Sequence, residues 1–330
     1  MKIAVIGGGL QGACCAFALA RRGASVTVYD ADDGTAASRV PIALINLHRG
    51  RQAKSHPEDI EGLEVLRNWE AELSDRGHQV GISWTGVLRV ASSPHQAGVF
   101  CGHPQARPYE NRYRALHLPH GGSFFENGGW VHTTSFLRAL EIEARARGVQ
   151  WRLGVRVRQA RETTSEVFLE SDVNEGAFDA VVAATGAAEP LWSLPAPLRT
   201  VHGLTVKVDV PSQLPSLPLV GRAYAIPTEY GLHLGGLHRV HGELRTEEAS
   251  SLLREASTFL PYLARSTPLE TFCGRRASTP DNRPVFGVCG KRRWFANGLG
   301  GRGFLVAPLL AERLARAILR PVVRFGHNPG

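Results

Sequence analysis

The chain has 330 residues, 43% hydrophobic and 21% charged, with 38 Lys+Arg against 30 Asp+Glu and a formal net charge of +8. This length and apolar content exclude a disordered chain, a small disulfide scaffold and a collagen-like repeat, and they suffice for one large or two medium domains with a full core. The basic balance points toward acidic partners or nucleic acid.

The charge is almost wholly arginine: the lysines are Lys2, Lys54, Lys207 and Lys291, and no run of five or six basic residues forms an arm. It therefore reads mainly as a dispersed surface bias. The five cysteines include the neighbours Cys14 and Cys15 and show no C-x-x-C spacing, so no zinc site or disulfide framework is indicated. Reduced thiols and a cytoplasmic protein are expected. Met1-Lys2 runs straight into Ile3–Ile6 with no signal-peptide pattern, and no stretch reaches the roughly 20 apolar residues that span a bilayer.

In chain order, Ile3–Ile6 reads as a buried strand, Ala13–Arg22 as a helix stopped by Gly23, and Ser25–Tyr29 as a second strand ending at Asp30. Asp59–Leu73 has a helical stripe of Leu63, Leu66, Trp69 and Leu73. Thr85–Ala91 is strand-like, and residues 92–127 give no clear pattern. A helix over Thr134–Arg147 ends at Gly148, and Val149–Val157 is read as one strand. Phe178–Gly186 is a buried strand ending in glycine. Val201–Val210 alternates as a strand, Arg222–Gly236 reads as a hairpin turning near Tyr230-Gly231, and Thr246–Leu260 as a helix. Asn297–Gly303 is a glycine-rich turn into a helix over Phe304–Leu319, and Pro321–Gly330 reads as a frayed tail.

Gly7-x-Gly9-x-x-Gly12 sits between a strand and a helix, where its mechanism requires it. The first glycine allows the tight turn, the second lets the backbone approach a pyrophosphate, and the third lets helix and strand touch. The helix N-terminus then offers N–H groups to the phosphates. Asp30, eighteen residues after Gly12, suits ribose hydroxyls and disfavours a 2′-phosphate. The fingerprint alone does not separate FAD from NAD.

The later motifs do. Ala36-Ala37-Ser38, the strand ending in Ala184-Thr185-Gly186, Val201-His202-Gly203-Leu204, Tyr224-Ala225-Ile226-Pro227 with Gly235-Gly236, Gly274-Arg275-Arg276 through Pro284, and Gly298–Pro308 follow in order. In that order the chain resembles the FAD-dependent amine oxidoreductases of the D-amino-acid oxidase, glycine oxidase and sarcosine oxidase family. Asn297–Glu312 is also similar to the oxidoreductase domain of the bifunctional enzyme that makes 5-methylaminomethyl-2-thiouridine in tRNA.

The resemblance implies an α/β fold: a Rossmann-like FAD-binding domain from residues 1–75, 130–200 and 265–330, and a mostly antiparallel substrate domain from 76–129 and 201–264. It implies FAD contacts at Gly7, Gly9, Leu10, Gln11, Gly12, Asp30, Ala31, Ala37, Ser38, Val157, Thr185, Gly186, Gly300, Gly301 and Gly303. The FAD is expected to be non-covalent, because the cysteine that some sarcosine oxidases use aligns with Gly274 and not with Cys273. Arg276 is implied as the grip on a substrate carboxylate, with Arg275 as a rival and Ala277 standing where the family has proline. Tyr224 is implied either beside that carboxylate or as a packing residue, and Arg302 either at the substrate or capping its loop.

His48 reads as a packed or solvated histidine in preference to a flavin contact, and His117-x-x-His120 and His238-x-x-His241 lack a third ligand, so no metal is expected. The implied reaction is hydride transfer from a C–H beside nitrogen to flavin N5, with hydrolysis of the imine. The expected partner is a small amine or amino acid, with no membrane. The alternatives are a tRNA wobble-uridine oxidoreductase acting on a glycine-like carboxymethylaminomethyl group, and a non-catalytic FAD-binding protein.

Overall fold

The computed structural model describes residues 1–173, 176–210, 213–240 and 248–320. The apolar Lys2–Ile6 strand is central because it can be covered on both sides. It pairs in parallel with Ala180–Ala183 and with Ser25–Asp30. The sheet continues to Gln150–Leu153 at one edge, and through Arg293–Asn297 to Val285–Val288 at the other, where the last pair alone is antiparallel. This is a doubly wound sheet, with a ligand crevice expected at the carboxyl ends of its strands.

Six α-helices are present among the described residues: α1 (Leu10–Ala20), α2 (Pro57–Asp75), α3 (Pro94–Cys101), α4 (Thr133–Ala146), α5 (Ala249–Ser257) and α6 (Gly303–Ile318). Helices α1, α2, α4 and α6 share one core with the parallel sheet. Phe17 meets Trp69 edge-on at 4.9 Å, and Phe136 meets Phe304 at 5.5 Å. Helices α2 and α6 touch at Gly62, where a Cβ would lie 1.7 Å from the Leu305 carbonyl oxygen.

The opposite face of the sheet is covered by a small sheet of Val157–Glu162, Val167–Ser171 and Ala177–Phe178. Two expected single strands are therefore each split. Gln150–Leu153 and Val157–Glu162 belong to different sheets, separated by Gly154 at φ 73°. Phe178 lies in the small sheet, whereas Ala180–Ala183 lies in the parallel one.

The second half is an eight-stranded sheet in the order Glu270–Ser278, Arg199–Val208, Gly231–Arg239, Tyr224–Thr228, Leu219–Val220, Val87–Val90, Gly122–Phe125 and Ala106–Pro108. All its neighbours are antiparallel except Leu219–Val220 with Val87–Val90. Its outer face buries Leu204, Val206, Leu232 and Leu234 against Leu252, Leu253 and Phe259 of the α5 region. Residues 92–127, unpatterned in sequence, contribute α3 and two strands of this sheet.

The boundary expected at residue 265 falls later. Glu270–Ser278 pairs with Arg199–Val208 along its whole length, so it belongs to the larger sheet. Ile42–Asn46, Gly128–His132 and Ile82–Ser83 form a separate three-stranded sheet. The expected tail at 321–330 and the start of the helix expected at Thr246 lie outside the described residues. No helix among the described residues is long and apolar enough to cross a membrane.

Candidate active site

A continuous cavity of about 2490 Å³ runs from the glycine turn at Gly7–Gly9, past the Ala36–Ser38 loop and Thr185-Gly186, to the inner face of the eight-stranded sheet. At its first end the three fingerprint glycines have distinct steric grounds. Gly7 sits at φ 101°, and a Cβ there would lie 2.3 Å from the Ala184 carbonyl oxygen. A Cβ on Gly12 would lie 1.7 Å from the Gly7 carbonyl oxygen, so strand and helix can approach only with glycine. Gly9 meets only Ser38 Oγ, at 3.2 Å, which leaves its cavity side open.

Helix α1 starts at Leu10 with no side-chain cap and no acidic residue in its first turn, so its first N–H groups face the cavity. Gln11 lines the same wall, and its buried Oε1 has no partner among the described residues. Asp30 is pinned at its strand end by Gly8 N–H at 2.5 Å and Asp32 N–H at 2.7 Å. Each carboxylate oxygen keeps a lone pair for a ribose hydroxyl. Ala31, Ala37, Ser38, Val157, Thr185, Gly186, Gly300, Gly301 and Gly303 also line the cavity. Asn297, not singled out from sequence, donates to the Gly186 carbonyl at 3.0 Å and so ties two of these segments together. This cradle, with its open helix N-terminus and unpartnered Gln11 oxygen, fits a dinucleotide.

At the other end, alternation along the Glu270–Ser278 strand separates the two candidate arginines. Arg275 turns to the 33–36 loop, hydrogen-bonding Thr35 Oγ1 and lying 3.7 Å from Asp33. The Arg276 side chain lies down on the neighbouring strand, where a Cβ on Gly203 would be 2.4 Å from its Nη2. Arg276 also borders Gly301, and no carboxylate pairs with it among the described residues. Burial pulls its guanidinium below the ordinary arginine range, and Tyr224 partly offsets this; the group remains a cation.

Tyr224 uses the same device. It pairs directly with Gly235, and a Cβ on that glycine would fall 2.1 Å from the phenol oxygen. Two glycines, Gly203 and Gly235, thus let a long and a bulky side chain lie flat on the sheet and converge. In sequence, Gly203 and Gly235 are indistinguishable from ordinary sheet glycines.

Of the two roles expected for Arg302, at the substrate or at its own loop, its contacts match the second. It is 3% exposed and donates to Asp59 Oδ1 at 2.7 Å, to Glu58 at 3.3 Å and to the Asn282 carbonyl at 3.4 Å. Asp59, itself 0% exposed, also receives Arg49 and forms the capping box of α2 with His56. The guanidinium thus fastens the glycine turn to α2, and its charge is answered by carboxylates of the chain.

His48 is buried against His103 and Phe125, with ring centroids at 4.7 Å from each, apart from the cavity-lining residues. Arg89 fixes this loop through the His48 and Gly50 carbonyls. No group of three or more metal-ligating side chains occurs among the described residues. Of the two His pairs, His238 lines the cavity beside Arg276, while His241 lies outside the described residues.

Comparison with known proteins decides which dinucleotide the cradle takes. The family described as "FAD dependent oxidoreductase" matches residues 2–317. The chain belongs to this family. It is a FAD-dependent oxidoreductase, and FAD is its cofactor. The glycine oxidase of Geobacillus kaustophilus superposes over 100% of both chains at 21% identity with a TM-score of 0.84. The iminodiacetate oxidase of Chelativorans sp. BNC1 covers 96% of this chain and 95% of its own at 19% identity, TM-score 0.81. Among curated relatives, the tRNA 5-methylaminomethyl-2-thiouridine biosynthesis bifunctional protein of Caulobacter vibrioides is 28% identical over 96% of this chain and 54% of the relative. Its counterpart in Caulobacter sp. strain K31 is 40% identical over 151 residues, 43% of this chain and 25% of that protein. The chain spans about half the length of such relatives.

Proposed function

We propose that this oxidoreductase oxidises a C–N bond in a small amine that carries a carboxylate, such as an amino acid or an N-substituted glycine. The observation that carries this reading is Arg276, a cation without a carboxylate partner among the described residues, in the cavity that also holds the dinucleotide cradle. A guanidinium fork matches a planar carboxylate in geometry and charge. Tyr224, lying over Gly235, supplies a hydroxyl to the same pocket.

Bound FAD supplies the two-electron acceptor. The chain supplies orientation: a substrate held by its carboxylate presents a defined C–H, and hydride transfer depends on that alignment more than on a general base. The turn at Gly300–Arg302 and the N-terminus of α6 direct backbone N–H groups and the positive end of a helix dipole to the cavity. There they would favour negative charge on the reduced cofactor. Arg302 and Asp59 hold that turn against α2.

The test is anaerobic reduction of the purified flavoprotein with glycine, sarcosine, iminodiacetate, D- and L-amino acids and amines without a carboxylate. Bleaching by carboxylated amines, weakened at least tenfold by Arg276→Leu, is the expected result. Bleaching only by amines lacking a carboxylate would remove Arg276 from the reading. No bleaching by any of them would return the non-catalytic alternative. Flavin released by acid precipitation is expected to stay in solution; flavin pelleting with the protein would show a covalent link.

A second reading is favoured by the 40% identical stretch shared with the Caulobacter sp. protein. A carboxymethylaminomethyl group on a wobble uridine is itself a secondary amine bearing a carboxylate, so it suits the same arginine. This reading requires tRNA binding that weakens steeply with salt. Absence of tRNA binding at low salt would eliminate it.

A further inference from the structure

Building on the carboxylate-binding reading, we infer that His238 is a positioning residue of the substrate pocket, whose imidazole holds the Arg276 guanidinium in place without cancelling its charge.

The backbone is shaped to put His238 there. Along Gly231–Arg239, Leu232 and Leu234 face the apolar core beneath α5. Strict alternation would send His238 to that same face. The pairing with Arg199–Val208 slips, however: Thr205 lies opposite Gly235, whereas Leu204 lies opposite Leu237. Gly236 is therefore an extra residue, at φ 120°, and forms a bulge. One extra residue reverses the parity of everything after it, which is how bulges re-aim side chains beside active sites. Leu237 goes to the core, and His238 comes opposite Gly203 on the cavity face. Gly203 is the glycine over which the Arg276 guanidinium lies, so imidazole and guanidinium meet above one residue. The contact is Arg276 Nη2 donating to His238 Nδ1 at 3.3 Å.

The choice of side chain carries the chemical argument. A carboxylate at this place would hold the guanidinium equally well and would also neutralise it, as Asp59 does for Arg302. An imidazole offers an acceptor and, while neutral, no charge. His238 is exposed toward the cavity, yet the protein mass around it and the Arg276 charge push its pKa down to about 4. At neutral pH it is thus an uncharged acceptor, and the arginine keeps its full charge for a substrate carboxylate.

The test uses the FAD-loaded protein titrated with acetate at pH 7.5, followed by the change in flavin absorbance. His238→Asp is expected to weaken acetate about thirtyfold, because the introduced carboxylate competes for the fork. His238→Asn, which keeps a neutral acceptor, should stay within about threefold of the parent, and His238→Leu should lose about tenfold. Flavin content and melting temperature should be alike in all three, which separates positioning from general damage. Parent-like acetate binding by His238→Asp, with binding lost in Arg276→Leu, would overturn the role of His238 and leave the carboxylate site standing. Parent-like binding in Arg276→Leu would overturn both.

Discussion

The arginines of the helical layer and Arg276 of the cavity are used in opposite ways. Behind the parallel sheet, Glu312 of α6 receives Arg21 at 2.9 Å, Arg22, and the Trp69 indole N–H at 3.0 Å. Arg21 also reaches Glu72 at 2.9 Å, and Glu143 gathers Arg147, Arg76 at 3.3 Å and His78 at 2.8 Å. Arg21 and Arg147 are the C-cap residues of α1 and α4, where a cation also complements the helix dipole. These pairs lock four helices into one layer. On the cavity side Arg276 pairs with no carboxylate of the described chain, lies over Gly203 and hydrogen-bonds His238. A paired arginine serves the fold. A cavity-facing arginine without an anion contributes no ion pair to the fold and is explained by a ligand that brings the anion.

The largest expected effect tests the paired side. Asp59→Asn leaves the buried Arg302 and the half-buried Arg49 without their shared carboxylate. It should destabilise the protein by about 3–5 kcal/mol in urea unfolding. A loss under 1 kcal/mol would mean that the triad is not a structural unit. Glu312→Gln should be next, at about 2–3 kcal/mol, while leaving acetate affinity unchanged.

Arg276→Leu reverses the pattern. It should weaken carboxylate binding by about 2–5 kcal/mol and leave stability equal or slightly higher, since a desolvated, unpaired cation is removed. A large stability loss there would break the comparison, because it would make Arg276 structural as well. Gly235→Ala should raise the KM for a carboxylated substrate about tenfold for a stability cost near 1 kcal/mol, because the new Cβ displaces the Tyr224 ring. Parent kinetics would remove Tyr224 from the pocket.

The smallest effect is acid sensitivity in the helical layer. Burial raises the Glu143 pKa, but hydrogen bonds from His78 and Arg147 outweigh this and leave it lowered. A lowered carboxylate pKa gives stability that is present above the unfolded value of about 4.3 and lost as pH falls through the folded one. Melting temperature measured from pH 6 to pH 3 should therefore fall less steeply for Glu143→Gln than for the parent. Equal slopes would mean that Glu143 is not linked to folding.

Local sequence was enough to gather the glycine turn and Asp30 at one end of the cavity, because their requirements are local. Gly7, Gly9, Gly12 and Asp30 lie within one β-α-β unit, and Gly7 and Gly12 answer contacts made inside that unit or just after the adjacent strand. The apolar runs at Ile3–Ile6 and Ala180–Ala183 likewise had one way to be buried. The order of the later motifs singled out Arg276 and Tyr224, but sequence assigned Arg276 to the nucleotide-binding part, whereas its strand pairs with Arg199–Val208 in the larger sheet. It could not separate Arg276 from Arg275, because that depends on which face of an edge strand meets the cavity. It left Arg302 open between the substrate and its own loop, because its partners Asp59 and Glu58 lie more than 240 residues away in the chain. It passed over His238, because one extra residue at Gly236 reverses the face on which a side chain emerges.

The +8 charge divides along the same line. Sequence established that the excess is arginine and that it forms no basic arm. Tertiary structure decided which arginines meet a carboxylate and which do not, since an ion pair between α1 and α6, or a guanidinium lying over a glycine on the next strand, exists only once distant segments are packed together. Short-range chemistry is written in neighbouring residues. The pairing of buried charges is written in the fold.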